Sequence, residues 1–167
     1  RVKSPVTAKD DEIGEIMMQE EVGYLLAFRG SDASYLQKGN DALGQMIDKY
    51  KESMMSVYAQ YVTGVNAQRS FKMITTDKKI TMRDPNYKLG DALLIDVIEK
   101  SKGKGGLDNI SLNQAMQTLA LSYQREGNKK AAEETVKDIV NHFNKQPIKE
   151  HVKERIRRES ATLLSKE

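Results

Sequence analysis

The sequence contains no cysteine and no tryptophan, and it has only three prolines and three phenylalanines in 167 residues. Without cysteine the chain has no disulfide framework, no thiolate ligand for a metal ion and no cysteine nucleophile. This absence does not fix the compartment, because many proteins outside the cytoplasm also lack cysteine. No apolar run approaches the ~18 residues of a membrane span, and no signal-peptide pattern opens the chain.

The excess of positive over negative charge is small. The 27 basic and 24 acidic residues leave a net charge of +3, so the chain is highly charged without being a polycation. This balance does not predict nucleic acid as a partner. Because the chain opens on Arg1 rather than methionine, we expect a fragment or mature product, with residues 1–6 as an extended exit from an upstream region.

The most regular stretch, residues 109–143, predicts two helices joined by a tight turn. Ser111 and Gln114 form a capping-box pattern at the start of the first helix, and Gly127 ends that helix. The apolar residues at helical spacing are Leu112, Ala115, Met116, Leu119, Ala120 and Tyr123, then Ala131, Ala132, Thr135, Val136, Ile139, Val140 and Phe143.

The order and spacing of these residues resemble a tetratricopeptide repeat (TPR). The residues that carry the resemblance are Leu119, Ala120, Tyr123, Gly127, Ala132, Val136 and Ile139, with Pro147 near the family's closing proline. The resemblance implies that the two helices approach closely at Ala120 and Ala132. It also implies an all-α fold, a right-handed superhelical array of antiparallel helix hairpins.

Two less regular repeats precede this one, and a final helix follows it. We expect repeats over residues 13–52, 53–101 and 109–146, with a capping helix over 147–166 that covers the apolar end of the array. Set against Ala132, the matching alanines are Ala42 and Ala92, while Gly23 and Gly64 take the small positions of the first helices. Residues 7–167 are therefore predicted to form a single helical domain.

An insertion interrupts the second repeat. Residues 73–83 are too polar and too weakly periodic for a helix, and their turn signal fits either a mobile loop or a short hairpin. After it, Asp84 is expected to cap the next helix and Pro85 to occupy the first helical position.

Residues that suggest chemistry have simpler explanations. The glycine-rich stretch 102–106 follows a helix rather than a strand and lacks the full phosphate-loop pattern, so a flexible linker is favoured. His142 and His151 lie on different predicted helices without a third ligand, which argues against a metal site. No nucleophile and base stand in a recognisable pattern. We expect no cofactor, no metal ion and no catalysis.

Two surface features also have competing interpretations. The eight methionines could line an adaptable groove, but Met17, Met46 and Met116 fall on apolar helix faces, so core packing is favoured. The basic stretch 145–158 is interrupted by glutamates and carries no interleaved aromatic residue. A solvated cap face is therefore favoured over a surface for nucleic acid or anionic lipid.

The resemblance implies a function for the first helix of each repeat, which in this family lines a concave groove for a peptide or partner domain. The matching positions are Glu20, Tyr24 and Phe28, then Tyr58, Tyr61, Gln68 and Arg69, then Gln114, Gln117, Gln124 and Arg125. Aromatic and arginine side chains dominate binding hot spots, which supports such a surface.

Three functions therefore compete. The first is a non-catalytic interaction scaffold for a protein or peptide partner, the second is a structural spacer beside an upstream domain, and the third is a cryptic enzyme or a binder of nucleic acid or anionic surfaces. Similar arrays are common in bacterial exported and outer-membrane-associated proteins. The resemblance therefore favours a periplasmic or secreted bacterial protein, with a cytoplasmic location still open.

Overall fold

The computed structural model describes residues 33–49, 54–74, 77–103 and 105–165. These residues form helices α1 (Ala33–Lys49), α2 (Met54–Ala67), α3 (Tyr87–Lys102), α4 (Asn109–Arg125), α5 (Lys129–Asn144) and α6 (Glu150–Leu163), with strands β1 (Phe71–Ile74) and β2 (Ile80–Arg83). The predicted all-helical class is confirmed, with one short hairpin as the only exception among the described residues. None of the described helices is both long and apolar enough to cross a membrane.

The chain groups into two compact units, and the division falls between Leu107 and Asp108. The first unit contains α1, α2, the hairpin and α3, and the second contains α4, α5 and α6. The expected groove residues Glu20, Tyr24 and Phe28, like Gly23 and Met17, lie outside the described residues.

In the first unit, α2 packs against both α1 and α3. The buried apolar side chains of this unit are Leu43, Val57, Ala59, Val62, Ala67, Leu94, Val97, Ile98 and Leu107. A Cβ atom added at Gly64 would lie 3.1 Å from Cγ of Leu94, so α2 and α3 approach closely where the sequence predicted a small residue. A Cβ atom at Gly90 would lie 2.9 Å from the carbonyl oxygen of Gly64.

The register predicted for α3 was wrong by two residues. Ala92 is exposed, and Gly90 stands at the contact with α2 instead. The helix also starts later than predicted, because Asn86 rather than Asp84 is its N-cap and accepts a hydrogen bond from the Leu89 amide at 3.1 Å. The Asn86 amide donates to the carbonyl oxygen of Ala67 at 2.6 Å, which ties the start of α3 to the end of α2.

The insertion forms the short hairpin rather than a loop. Strands β1 and β2 are antiparallel, with Phe71 opposite Arg83 and Ile74 opposite Ile80. Lys78, between the strands, has a positive φ of 61°, which is typical of a residue in a tight turn. Strand β1 also contacts α1, so the hairpin belongs to the first unit.

In the second unit, α4 and α5 pack along each other as a hairpin, and α6 contacts both. The predicted core is confirmed in part: the buried apolar residues are Leu112, Ala115, Met116, Leu119, Ala120, Ala132, Ile139, Phe143 and Ile156. The other predicted residues, Tyr123, Ala131, Thr135, Val136 and Val140, are half-buried. Gly127 has a φ of +80° where the chain turns, a conformation that glycine adopts without steric cost. Asn128 then caps α5 by accepting from the Ala131 amide at 3.2 Å.

Helix α4 begins three residues before the predicted position. Its N-cap is Asp108, not Ser111, because Asp108 Oδ1 accepts hydrogen bonds from the amides of Ile110 and Ser111 at 2.8 and 2.9 Å. The Ser111 hydroxyl donates to Asp108 Oδ2 at 3.0 Å, so it supports the cap instead of providing it. Residues 109 and 110 therefore belong to the helix.

Candidate functional site

An open cleft of about 600 Å³ lies in the second unit, between the first half of α4 and α6. The wall on α4 consists of four amide side chains and one isoleucine: Asn109, Ile110, Asn113, Gln114 and Gln117. Ile110 is 68% exposed, more than any other large apolar side chain among the described residues. The wall exists because Asp108 starts the helix early enough to place Asn109 and Ile110 on its first turn.

The opposite wall is apolar at its base. Ile148, Val152 and Ile156 follow one another at four-residue spacing, and α6 begins just after Ile148. Ile156 is buried against the core, whereas Ile148 and Val152 are half-buried. The cleft thus has an apolar base that is continuous with the core of the second unit.

Arg155 and Glu159 stand at one end of the cleft, and Lys149 lines it beside Ile148. Arg155 Nε lies 3.7 Å from Glu159 Oε1, and both side chains are largely exposed. Gln117 Nε2 donates to Glu159 Oε2 at 3.5 Å, a long contact that links α4 to α6. Exposed ion pairs of this kind contribute only about 0–1 kcal/mol, so these groups are free to exchange partners when a ligand enters.

Asn113, in the middle of the amide wall, has an unsatisfied acceptor. Its Oδ1 atom is buried and accepts no hydrogen bond from any residue that the structure describes. A buried acceptor without a donor is costly, and the great majority of such atoms in folded proteins have a partner. A ligand that enters the cleft can supply this donor.

Comparisons with known proteins add no family to this geometry. No protein-family model matches the chain, and neither does any curated protein or solved structure. The chemistry of the cleft therefore has to be inferred from the side chains that line it.

The structure places the predicted groove residues of the third repeat in two positions. Gln114 and Gln117 line the cleft. Gln124 and Arg125 lie at the other end of α4, outside the cleft, where Gln124 Nε2 donates to the carbonyl oxygen of Leu164 at 3.0 Å and Arg125 is exposed. Only the first two of these residues therefore line the cleft, whereas Gln124 contacts the C-cap residue of α6.

The predicted groove residues of the second repeat lie in the first unit. Tyr58 and Tyr61 are half-buried and Arg69 is exposed. The prediction that Gln68 lines a groove is corrected, because its side chain is only 4% exposed and its Nε2 donates to Asp91 Oδ1 at 2.6 Å. Its amide group therefore stabilises the α2–α3 pair from within and is not available to a partner.

Sequence reasoning missed most of the cleft. The predicted cap at Ser111 leaves Asn109 and Ile110 outside the helix. Asn113 lies one turn before Gln117, but the predicted groove surface does not include it. The stretch 147–166 is predicted only as a solvated end cap, so Val152 and Arg155 are not predicted to line a binding surface. The four-residue spacing of Asn109, Asn113 and Gln117 was the signal that could have found this surface.

The other candidate groups have structural roles. The ring of His142 packs edge-on against Phe143 with centroids 4.9 Å apart, and His151 is exposed. No group of three potential metal ligands occurs in the described part of the chain. In the glycine-rich stretch, the Leu107 amide donates to Ser101 Oγ at 2.9 Å, and that hydroxyl donates to the Val97 carbonyl oxygen at 2.7 Å, which closes the end of α3.

The basic groups of α6 are mostly compensated within the chain. The guanidinium of Arg157 lies 3.0 Å from the carboxylate of Glu150 and 2.9 Å from that of Glu154. Its hydrogen bond to Glu154, and to a smaller extent the one to Glu150, raises the pKa of the guanidinium. Lys153 Nζ donates to the carbonyl oxygen of Asn144 at 2.9 Å. These contacts match a solvated cap face.

Proposed function

We propose that this protein is a non-catalytic interaction domain that binds a peptide segment of a partner protein in the cleft between α4 and α6. The observation that carries the proposal is the cleft itself, an amide-rich wall that faces an apolar base. We further propose a TPR-like arrangement in which α4 and α5 form one repeat and α6 is the capping helix. The packing of α6 on both preceding helices supports this arrangement.

The composition of the cleft favours a peptide over other ligands. None of the residues that line it is aromatic, whereas nucleobases are commonly bound by stacking on aromatic side chains. Amide side chains carry both donors and acceptors, and the isoleucines and Val152 offer apolar surface. A peptide presents the same two kinds of group, polar main-chain amides and apolar side chains.

The same composition favours binding over catalysis. Glu159 is the only carboxylate among the lining residues, and it faces Arg155 and Gln117. No histidine lines the cleft. A general acid–base pair would need a second carboxylate or a histidine beside Glu159, and none is among the described residues that line the cleft.

Peptide selection with a matched pair of variants tests the proposal. A random library of short peptides is selected on the protein, and the affinity of the best peptide is measured by calorimetry for wild type, Ile110→Glu and Leu89→Glu. Both replaced residues are large, exposed and in the first turn of a helix, at 68% and 48% exposure. A glutamate in that turn is favourable to the helix, so neither variant is expected to unfold.

We expect Ile110→Glu to weaken binding by about tenfold or more, because it removes apolar surface and adds charge in the cleft. Leu89→Glu, in the first unit, is expected to bind as wild type does. Equal affinity of all three proteins would show that peptides bind elsewhere, and failure to select any peptide would remove the proposal altogether.

A further inference from the structure

We infer that the cleft recognises the main chain of an extended peptide through the amide ladder, which consists of Asn109, Asn113 and Gln117 on α4. This inference rests on the proposed function and specifies its ligand. The three side chains lie one turn apart along the same helix, and all of them line the cleft. The ligand it predicts is an unfolded or strand-like segment, recognised largely independently of its side chains.

The spacing of the ladder matches that of an extended chain. Residues four apart on a helix are separated by ~6 Å along its axis. Every second residue of a strand is separated by ~6.6–6.8 Å, so successive rungs meet successive alternate residues with a mismatch of less than ~1 Å. The ladder therefore spans ~12 Å and covers about five residues of the peptide.

The chemistry of the rungs matches the main chain as well. In an extended chain the N–H and C=O groups of one residue point to the same side, and those of the next residue point to the other side. An amide side chain offers one acceptor oxygen and a donor NH₂ group, so a single rung can satisfy both groups of one residue. The remaining residues of the peptide then direct their amides away from α4.

The central rung is the one that most needs such a partner. Asn113 Oδ1 is buried without a donor among the described residues, and an incoming peptide N–H would supply that donor. The terminal torsion of asparagine is soft, so the amide can turn toward the cleft as the peptide arrives. Among the rungs, Asn109 at the first position of α4 is exposed, and Gln117 makes a long contact to Glu159.

The apolar base gives the ligand a second point of contact. Ile148, Val152 and Ile156 recur at the same four-residue spacing as the rungs, on the opposite side of the cleft. A strand that hydrogen-bonds to the ladder directs alternate side chains toward one face, and these side chains can cover the half-buried Ile148 and Val152. The base accepts apolar side chains without selecting among them.

A backbone methylation scan tests the inference. The probe is the peptide selected from the random library, prepared as a series with one main-chain amide N-methylated in each member. N-methylation removes a donor without changing any side chain. We expect a period of two, in which methylation at alternate positions weakens binding by about tenfold and methylation at the intervening positions has little effect.

Variants connect this pattern to the central rung. In Asn113→Leu, which keeps the size of the side chain, we expect weaker binding and loss of sensitivity at one alternate position. Asn141→Leu, at an exposed position of α5, is the control and should reproduce the wild-type scan. The scan on wild-type protein needs no variant, so the inference stays testable if Asn113→Leu folds poorly.

The outcomes separate this inference from the proposed function. If binding is insensitive to methylation at every position while Ile110→Glu still weakens it, the ladder is wrong and the peptide cleft stands. If Ile110→Glu has no effect or no peptide binds, both the ladder and the cleft are wrong. The ladder is supported if methylation at alternate positions weakens binding and Asn113→Leu changes that pattern.

Discussion

At the scale of single residues, small side chains decide how closely the helices pair. Ala132 is fully buried where α5 packs against its neighbours. We expect Ala132→Leu to destabilise the protein by about 1–3 kcal/mol, because the extra methylene groups have no space between packed helices. Lys137→Leu, at an exposed position of α5, is the control. Denaturant midpoints measure both changes, and an unchanged midpoint for Ala132→Leu would place residue 132 at the surface.

Two glycines should respond to alanine with opposite signs. Gly44, inside α1, has no described atom within 4 Å of an added Cβ, so Gly44→Ala should stabilise the protein by up to about 1 kcal/mol. At Gly90 the added Cβ would lie 2.9 Å from the backbone oxygen of Gly64, so α2 and α3 must separate. We expect Gly90→Ala to cost about 1–2 kcal/mol. Thermal unfolding of the two variants checks the signs, and stabilisation by both would refute the close approach.

The carboxyl of Asp96 links stability to pH. Hydrogen bonds from Lys100 at 2.7 Å and from Gln60 at 2.6 Å, together with the charge of Lys100, lower its pKa and outweigh the effect of burial. As pH falls, the carboxyl of Asp96 is therefore protonated in the unfolded chain before it is protonated in the folded chain. The contribution of Asp96 to the free energy of unfolding is present above the unfolded pKa of ~3.9 and is lost as pH falls below it.

Asp96→Asn is therefore expected to lose less stability than wild type between about pH 6 and about pH 3. The difference should be small, because the carboxylate and Lys100 are each about half exposed. Denaturant midpoints at the two pH values measure it. A steeper acid loss in the variant than in wild type would contradict the lowered pKa.

At the scale of helices and their ends, the first turn of α4 depends on Asp108. Its carboxylate accepts from two helix amides, at 2.8 and 2.9 Å, so Asp108→Ala should cost about 1 kcal/mol. Ser111→Ala removes only a hydroxyl that donates to Asp108, and it should cost less. Chemical denaturation ranks the two variants. A larger effect of Ser111→Ala would make Ser111 the cap, as the sequence pattern had suggested.

The elements could be predicted from the sequence where local chemistry determines them. The spacing of Leu112, Met116, Ile139 and Phe143 and the turn at Gly127 specify the α4–α5 hairpin without help from the rest of the chain. Helix starts were less predictable, because Asp108 and Ser111 are both good N-caps, and so are Asp84 and Asn86. In each pair the side chain that reaches the free amides of the first turn is selected by the path of the preceding loop.

The cleft could not be predicted from local patterns, because it depends on tertiary contacts. Its α4 wall follows from helical spacing once the start of α4 is known, but the opposite wall requires the packing of α6 on α4 and α5. The error at Gln68 has the same origin. A glutamine near a helix end is usually exposed, and this one is buried because Asp91 on α3 accepts its amide hydrogen at 2.6 Å.

At the scale of the whole molecule, the division after Leu107 makes a prediction about folding. Helices α4, α5 and α6 enclose a core of their own, with Leu112, Met116, Phe143 and Ile156 among its buried side chains. We expect a fragment of residues 108–167 to be helical by circular dichroism and to unfold cooperatively. Its stability should be low, since a domain of about 60 residues buries only about 60% of its unfolded surface.

The same fragment tests whether the second unit carries the binding function. Every residue that lines the cleft lies within it, so the fragment should bind the selected peptide with the affinity of the intact chain, measured below its melting temperature. If residues 7–167 formed a single domain, as the sequence predicted, the opposite result would follow. The fragment would then melt without a cooperative transition, because it would have lost half of its core. Cooperative unfolding with full affinity would assign folding and binding to α4–α6 alone.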